Sequence, residues 1–235
     1  MRRLGIIGGT FDPVHTGHLI AAEEARDVLG LDHMMFIPAR IPPHKQAWCI
    51  SDAKHRLAML HQAVDANPMF SVNPMELERT GPSFTVDTIR AIRTGYTVED
   101  ILFIMGHDSF HEIETWFQYQ QLISLCRLVV VSRPGTPPVQ PEHFSESIRR
   151  LFPHQVISLD SSSKRMDNVM TSPWRICFLI IAGLKVSASE IRFRVRTGRS
   201  IRYVVPDGVR QYIIDNHLYS EDSGGIEGNA YSAHK

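Results

Sequence analysis

Short apolar runs alternate with segments of helical periodicity along most of this 235-residue chain. The runs are nearly continuous in apolar residues, which is typical of strands that are buried on both faces of a parallel sheet. We predict strands in LGIIG, HMMFIP, FSVN, ILFIMG, LVVVS and CFLIIAGLKV, which begin at Leu4, His33, Phe70, Ile101, Leu128 and Cys177.

Three segments between the runs have apolar residues at the spacing of an amphipathic helix. HLIAAEEARDVLG ends at Gly30, SDAKHRLAMLHQAVDA begins at a Ser51 cap, and SFTVDTIRAIRTG ends at Gly95. Because strands and helices alternate, we predict an α/β fold with a doubly wound, Rossmann-like parallel sheet and a small C-terminal helical segment. We expect residues 1–219 to form one domain and residues 220–235 a disordered tail.

The composition narrows the classes of partner. Basic and acidic residues number 25 each, so no overall field attracts nucleic acid or an anionic membrane, and any anion site must be local. The three cysteines are far apart and suit neither a disulfide framework nor a zinc site. No apolar run is long enough for a signal peptide or a bilayer span. We expect a cytoplasmic protein without a nucleic-acid or membrane partner; the sequence indicates no particular oligomeric state.

The stretch GIIGGTFDPVHTGHLIAAEEA, which joins the first strand to the first helix, holds the first candidate site. In open α/β sheets ligands bind beyond the carboxyl ends of the strands, and Gly8, Gly9 and Thr10 lie there. A helix that begins near Gly17 offers free backbone N–H groups and the positive end of its dipole to phosphate. We expect Gly17 to let a ligand approach the backbone closely.

Two histidines flank this predicted helix start. His15 and His18 are three residues apart, so both imidazoles can face one side and donate hydrogen bonds to phosphate oxygens. The alternative is that the glycines form an ordinary tight turn and the histidines are surface residues. The features occur together, however, while the dinucleotide fingerprint and the common phosphate-loop motif are both absent. We therefore predict a different kind of phosphate site.

A second candidate anion site lies in KVSASEIRFRVRTG, directly after the last predicted strand. Ser187 and Glu190 predict a capping box, and Gly198 predicts the end of a short helix. Arg192 lies in the first turn of that helix, where a guanidinium can bind an anion in a bidentate manner. The alternative is a solvated basic helix face.

The segment GHDSFHEIETWFQYQQL follows the strand ILFIM and therefore opens at the same edge of the sheet. Gly106 ends that strand, and Asp108 can accept hydrogen bonds from ribose hydroxyls. Trp116 is either a core aromatic or a platform for a ligand ring.

Three further residues are candidates for contacts with a second substrate. Lys45, in the proline-stiffened loop RIPPHK, can reach a phosphate, although a solvated lysine is the alternative. Thr85 begins a predicted helix, where its hydroxyl and backbone N–H can meet a carboxylate. Arg133 ends another strand at the ligand edge.

Two motifs resemble those of a known family. GGTFDPVHTGH resembles the nucleotidyltransferase superfamily with the H-x-G-H signature and, within it, the nicotinate-nucleotide adenylyltransferases. Relatives that adenylylate phosphopantetheine have threonine at the position of His15. VSASEIR resembles the family motif I-S-S-T-x-x-R at Ser187, Ser189 and Arg192, whereas Ala188 lacks a hydroxyl. His107 departs from the small middle residue of the family's G-x-D motif.

The resemblance extends from Leu4 to Tyr219, except for the loop from Ser161 to Arg175, which has no match. It implies transfer of the adenylyl group from ATP to nicotinate mononucleotide, giving deamido-NAD and pyrophosphate. It implies Mg²⁺ bound with ATP rather than held by protein ligands. The implied catalytic residues are His15, His18 and Arg192. The implied ATP-binding residues are Gly8, Gly9, Thr10, Gly17, His18, Gly106, Asp108, Ser187, Ser189 and Arg192. The implied acceptor-binding residues are Lys45, Thr85, Trp116 and Arg133.

Two alternatives to this function stay open. The nearer is the same reaction with nicotinamide mononucleotide, or with another phosphorylated acceptor. The farther is a regulatory module that binds a nucleotide without catalysis.

Overall fold

The computed structural model describes residues 2–40, 50–132, 144, 146–151, 155–160 and 172–220. Within these ranges the chain forms one parallel sheet with the strand order β3-β2-β1-β4-β5-β7-β6. The strands are β1 (Arg3–Gly9), β2 (His33–Pro38), β3 (Phe70–Val72), β4 (Asp100–Gly106), β5 (Arg127–Ser132), β6 (Val156–Asp160) and β7 (Ile176–Ile180).

Helices connect the strands and cover the sheet. They are α1 (Thr16–Leu29), α2 (Ala53–Val64), α3 (Met75–Glu78), α4 (Thr85–Gly95), α5 (His107–His111), α6 (Tyr119–Leu125), α7 (Glu146–Leu151), α8 (Ala188–Arg196) and α9 (Asp207–Asp215), with a 3₁₀ turn at Ile113–Thr115. The predicted doubly wound α/β fold is therefore confirmed. No helix in the described part of the chain is long and apolar enough to cross a membrane.

The apolar strands are continuous in sequence because both faces of the sheet are buried. On β4, Leu102 and Ile104 belong to a core cluster that also includes residues of α1, α2, α8 and α9. The alternate residues Ile101 and Phe103 belong to a second cluster with residues of α4 and α6. Successive side chains thus enter opposite layers, as the period of a strand requires.

The predicted strands are present, with two differences. CFLIIAGLKV is a strand only within Ile176–Ile180, and the chain then turns toward α8. β6 was not predicted, because this edge strand is only partly buried and lacks a continuous apolar run. A single domain over residues 1–219 stays a prediction, and residues 221–235 of the predicted tail lie outside the described residues.

The helix ends follow the predicted chemistry at one position and differ at another. Gly30 ends α1 in the left-handed conformation, at φ 60°, which favours glycine. The predicted Ser51 cap is wrong, because Asp52 precedes α2 and its side chain accepts a hydrogen bond from the Lys54 N–H. The Ser51 N–H instead donates to the carboxylate of Asp12.

The strand order places a crevice beside β1. β1 pairs with β2 on one side and with β4 on the other. The chain first adds β2 and β3 on one side of β1 and then crosses to add β4 and the later strands on the other side. Ligands of open α/β sheets bind at such a switch point, outside the carboxyl ends of the strands. Gly9 is the last residue of β1, and Gly106 is the last residue of β4.

Candidate active site

A cavity of about 1350 Å³ opens at this crevice. It exceeds the range of roughly 300–1,000 Å³ that is typical of a pocket for one small molecule. Thirteen of the predicted site residues line it: Gly8, Gly9, Thr10, His15, Gly17, His18, Thr85, Gly106, Asp108, Trp116, Ser187, Ser189 and Arg192. The other two, Lys45 and Arg133, lie outside the described residues.

The start of α1 brings the two histidines together. His15 is the N-cap residue and has an extended backbone, and its ring stacks on that of His18 with 3.7 Å between the ring centroids. The His15 backbone N–H donates to His18 Nδ1 over 3.2 Å. That bond requires an unprotonated Nδ1, so the N–H of the His18 ring lies at Nε2. His18 therefore has a defined donor atom in the cavity wall.

The lack of a side chain at Gly17 also matters for packing within the protein. A Cβ atom at this position would lie 3.0 Å from His15 Nδ1 and 3.1 Å from its Cε1. The ring of His15 therefore lies where a side chain at position 17 would begin. Gly17 thus allows the His15 ring to pack against the start of the helix, where His15 is only 5% exposed.

The start of α8 contributes hydroxyl groups and a guanidinium. Ser187 caps the helix by accepting the Glu190 N–H over 3.2 Å, and its Oγ lies 3.1 Å from that of Ser189. The second half of the predicted capping box is wrong, because the Glu190 carboxylate accepts a hydrogen bond from Arg194 instead. Arg192 Nη1 donates to the backbone carbonyl of Asp12 over 2.6 Å. This bond fastens α8 to the loop between β1 and α1.

Arg56, which sequence analysis missed, stabilises the same loop from α2. It is 1% exposed, and its Nη1 donates to the carbonyls of Thr10 and Ala39 while its Nε donates to that of Ser51. Burial lowers the pKa of this guanidinium, which nevertheless stays charged. One buried side chain thus joins the ends of β1 and β2 to the start of α2.

The end of β4 places an unusual histidine in the cavity wall. His107 follows Gly106, and its ring contacts that of His111 edge to face at 4.4 Å between centroids. Burial is the main cause that lowers the pKa of His107, with a contribution from His111 and an opposing one from Asp108, so the His107 ring is neutral at pH 7. Its Nε2 is buried and has no hydrogen-bond partner among the described residues. Asp108 beside it is exposed and available to a ligand.

The opposite end of the cavity lies at the start of α4. Phe84 is the N-cap residue, and the N–H groups of Thr85 and Val86 in the first turn have no acceptor within the helix. This positive helix end suits an anionic group.

Two aromatic residues form the lip beside α4. Trp116 is partly buried and packs edge to face on Phe103, and Phe117 is 48% exposed with its ring 4.6 Å from that of Phe84. The backbone N–H of Trp116 is not available to a ligand, because it donates to the carbonyl of Ile113.

A buried carboxyl group behind this helix start was also missed. Glu76 lies on the short helix α3, lines the cavity and accepts a hydrogen bond from the Thr88 hydroxyl over 2.6 Å. Burial raises the pKa of Glu76, while hydrogen bonds from Thr88 and Ser83 act in the opposite direction. The sequence MELE reads as an ordinary helical turn, so only the partners on α4 reveal this residue.

Comparison with known proteins gives matches over most of the chain. The family model described as cytidylyltransferase-like matches residues 6–194. A relative from Citrifermentans bemidjiense, named "Probable nicotinate-nucleotide adenylyltransferase", is 40% identical over 92% of this chain and 98% of its own length. A relative of the same name from Thermomicrobium roseum is 37% identical, over 93% of this chain and 92% of its own.

Solved structures support the same fold. The nicotinic acid mononucleotide adenylyltransferase of Plasmodium falciparum, in complexes with APC and with NaAD, superposes with a TM-score of 0.66 in both cases. The matches cover 93% of this chain and 98% of the other, at 16% and 17% identity. The sequence relatives are much more similar to this chain than these structures are, and the motifs at His15–His18 and Ser187–Arg192 agree with them. The chain belongs to the nicotinate-nucleotide adenylyltransferase family.

Proposed function

We propose that the protein transfers the adenylyl group of ATP to nicotinate mononucleotide, giving deamido-NAD and pyrophosphate. The names of its relatives support this reaction. The observation that carries it is the single cavity that joins the histidine pair at the start of α1 to the aromatic lip at the start of α4. One end suits a triphosphate and the other suits a pyridine ring with an anionic substituent.

The chemistry requires positioning more than a protein nucleophile. An oxygen of the acceptor phosphate attacks the α-phosphorus of ATP, and the bond from that phosphorus to the oxygen bridging to the β-phosphate breaks. The attacking oxygen is already anionic, so no serine or cysteine intermediate is needed. The protein must align the two phosphates and stabilise the charge that develops on the transferred group.

We assign His18 to the α-phosphate, because its Nε2–H is fixed as a donor by the bond at Nδ1. His15, stacked on His18, is assigned to the phosphates near the leaving side. Arg192 and the start of α8, with Ser187 and Ser189, are assigned to the β- and γ-phosphates. Positive charge at that end lowers the cost of releasing pyrophosphate.

Gly8, Gly9, Thr10 and Gly17 would bring the backbone of the β1–α1 segment close to the nucleotide. Gly106 and Asp108 would hold the ribose at the end of β4. The position of each residue in the cavity wall supports its proposed role, which is testable by substitution.

We propose Mg²⁺ as the ion that accompanies ATP. Among the described residues no three histidine, cysteine, aspartate or glutamate side chains cluster to hold a metal ion. Mg²⁺ commonly binds substrate phosphates and retains several waters, so phosphate oxygens of ATP and water molecules can supply its ligands. When bound, the ion neutralises charge on the triphosphate.

At the acceptor end we propose that the start of α4, with Thr85, binds the pyridine carboxylate and that Trp116 stacks on the ring. Lys45 and Arg133 are proposed to bind the acceptor phosphate. Residues 1–219 would form the catalytic domain, acting in the cytoplasm, where ATP is abundant.

Product analysis tests this function. Purified protein is incubated with ATP, Mg²⁺ and either nicotinate mononucleotide, nicotinamide mononucleotide or phosphopantetheine, and the products are identified by mass spectrometry. We expect deamido-NAD and an equal amount of pyrophosphate with the first acceptor. Absence of an adenylylated product with every acceptor would favour the regulatory-module alternative.

A further inference from the structure

Asp12 is the junction of the loop between β1 and α1. It is 4% exposed, and its carboxylate Oδ1 accepts the Tyr219 hydroxyl over 2.6 Å. Its Oδ2 accepts the Ser51 N–H over 3.2 Å and lies 3.9 Å from Arg192 Nη1. Its backbone carbonyl accepts a hydrogen bond from the same Nη1. Contacts from three distant segments therefore meet at one residue of the loop that leads into the proposed phosphate site.

Tyr219 is the most distant of these partners, 207 residues from Asp12 in sequence. It follows α9, and its ring packs on the core cluster that includes residues of α1 and α2. Burial and the nearby Asp12 carboxylate raise the pKa of the Tyr219 hydroxyl. The group therefore stays protonated and serves as a hydrogen-bond donor throughout the neutral pH range.

The hydroxyl of Tyr219 affects where Arg192 can lie. A buried carboxylate oxygen that loses its donor is unfavourable, and a neighbouring cation is the natural replacement. With Tyr219 in place, Arg192 donates to the backbone carbonyl of Asp12, a contact that uses one of its five N–H groups. Without the hydroxyl, the carboxylate of Asp12 competes with ATP for the guanidinium.

We propose that Tyr219 is a positioning residue for the nucleotide: its hydroxyl satisfies Asp12 and so keeps Arg192 and the start of α1 in place for the ATP phosphates. This inference rests on the proposed function only in taking the ligand to be ATP. Tyr219 does not line the cavity and acts through Asp12 and Arg192.

The matched pair of variants is Tyr219→Phe and Tyr212→Phe. Tyr212 lies on α9, and its OH is 3.1 Å from His55 Nδ1. The Tyr212→Phe change therefore also removes a hydroxyl contact between the C-terminal segment and α2. Tyr212 does not contact Asp12 in the described structure. We expect Tyr219→Phe to raise the Kd of a non-hydrolysable ATP analogue about tenfold, the scale of a lost hydrogen bond to a charged group. Tyr212→Phe should change that Kd less than twofold.

The path through Arg192 is tested in the Arg192→Ala background. If Tyr219 acts by positioning Arg192, adding Tyr219→Phe to Arg192→Ala should weaken analogue binding less than about twofold further. If Tyr219→Phe still raises the Kd of the analogue about tenfold in the Arg192→Ala background, the path through Arg192 is overturned. An unchanged Kd in Tyr219→Phe alone would overturn the proposal. Binding of the analogue is measured without turnover, so failure of the proposed reaction remains distinguishable from failure of this inference.

A second variant covers the case in which Tyr219→Phe does not fold. Asp12→Asn retains an oxygen that can accept the Tyr219 hydroxyl but presents an NH₂ donor to the Ser51 N–H or to Arg192. We expect it to raise the analogue Kd about tenfold as well. Wild-type affinity in a folded Asp12→Asn protein would overturn the role of this junction.

Discussion

The α1 end of the cavity is braced by buried polar groups, whereas the α4 end is lined by aromatic rings with one buried carboxyl group behind them. At the first end, Asp12, His15 and Arg56 are each at most 5% exposed, and hydrogen bonds tie Asp12 and Arg56 to distant segments. At the second end, Phe117 is 48% exposed and Trp116 is only partly buried. Phosphate transfer needs fixed donors, while a flat ring needs only a face on which to stack.

This difference indicates that substitutions at the two ends affect different kinetic quantities. Loss of a donor that acts on the transferred phosphate lowers kcat, because the interaction is strongest in the transition state. Loss of a stacking surface raises KM for the acceptor and leaves KM for ATP unchanged.

The largest effect is expected for His18→Ala. The fixed Nε2 donor disappears, so kcat should fall by about a hundredfold or more, the scale reported for loss of one preorganised transition-state donor. Pyrophosphate release gives the rate, and circular dichroism verifies the fold. His61→Ala, an exposed change on α2, is the control. Turnover near the wild-type rate in a folded His18→Ala protein would remove His18 from catalysis.

A smaller loss is expected for Arg192→Lys. Lysine keeps the positive charge and a donor for the Asp12 carbonyl. It lacks the planar guanidinium, whose several N–H groups can donate to the Asp12 carbonyl and to a phosphate at the same time. We expect kcat/KM for ATP to fall about tenfold. The control is Arg196→Lys, an exposed residue of the same helix outside the cavity wall. Equal losses in both variants would mean that the effect is general to the helix.

Trp116→Ala tests the acceptor end. Removal of the indole ring should raise KM for nicotinate mononucleotide by about tenfold through lost stacking and apolar contact, and KM for ATP should stay within twofold. Steady-state kinetics with each substrate varied separately measures both values. Tyr203→Ala, which removes an exposed aromatic outside the cavity wall, is the control. A parallel rise in both KM values would contradict the division between the two ends.

The smallest effect concerns stability and its dependence on pH. The pKa of Glu76 is raised by burial, so its folded state binds a proton more tightly than its unfolded state, and stability is lost as pH rises through the folded pKa. Glu76→Gln removes this loss and keeps an oxygen for the Thr88 hydroxyl. At pH 8 its Tm should exceed that of wild type by about 2 °C, and the gain should vanish near pH 4. A gain that grows in acid would contradict the assignment.

Much of the fold could be predicted because burial on both faces leaves a clear signature in the strands. β4 is apolar at consecutive positions since Leu102 and Phe103 enter different core layers. β6 lacks this signature because it is a half-exposed edge. The choice between Ser51 and Asp52 as a cap depended on the Ser51 contact with Asp12, 39 residues away, which local sequence does not contain.

The candidate site was predictable where its chemistry is local and hidden where it is not. His15, Gly17 and His18 lie within four residues, so one motif indicates them together. Glu76 and Tyr219 depend on partners in other elements. Arg56 had a usable signal: it shares the buried face of α2 with Met59 and Leu60 at spacings of three and four, where a charged residue requires buried partners.

The preference between acceptors tests the central claim most directly. Nicotinate presents only acceptor oxygens and a negative charge to the N–H groups at the start of α4, whereas nicotinamide places an NH₂ donor there. Two mismatched contacts at about 1–3 kcal/mol each correspond to discrimination of roughly a hundredfold or more. We predict that kcat/KM for nicotinate mononucleotide, measured by pyrophosphate release with saturating ATP, exceeds that for nicotinamide mononucleotide by at least about this factor. Equal values for the two acceptors would contradict a pocket that reads the carboxylate.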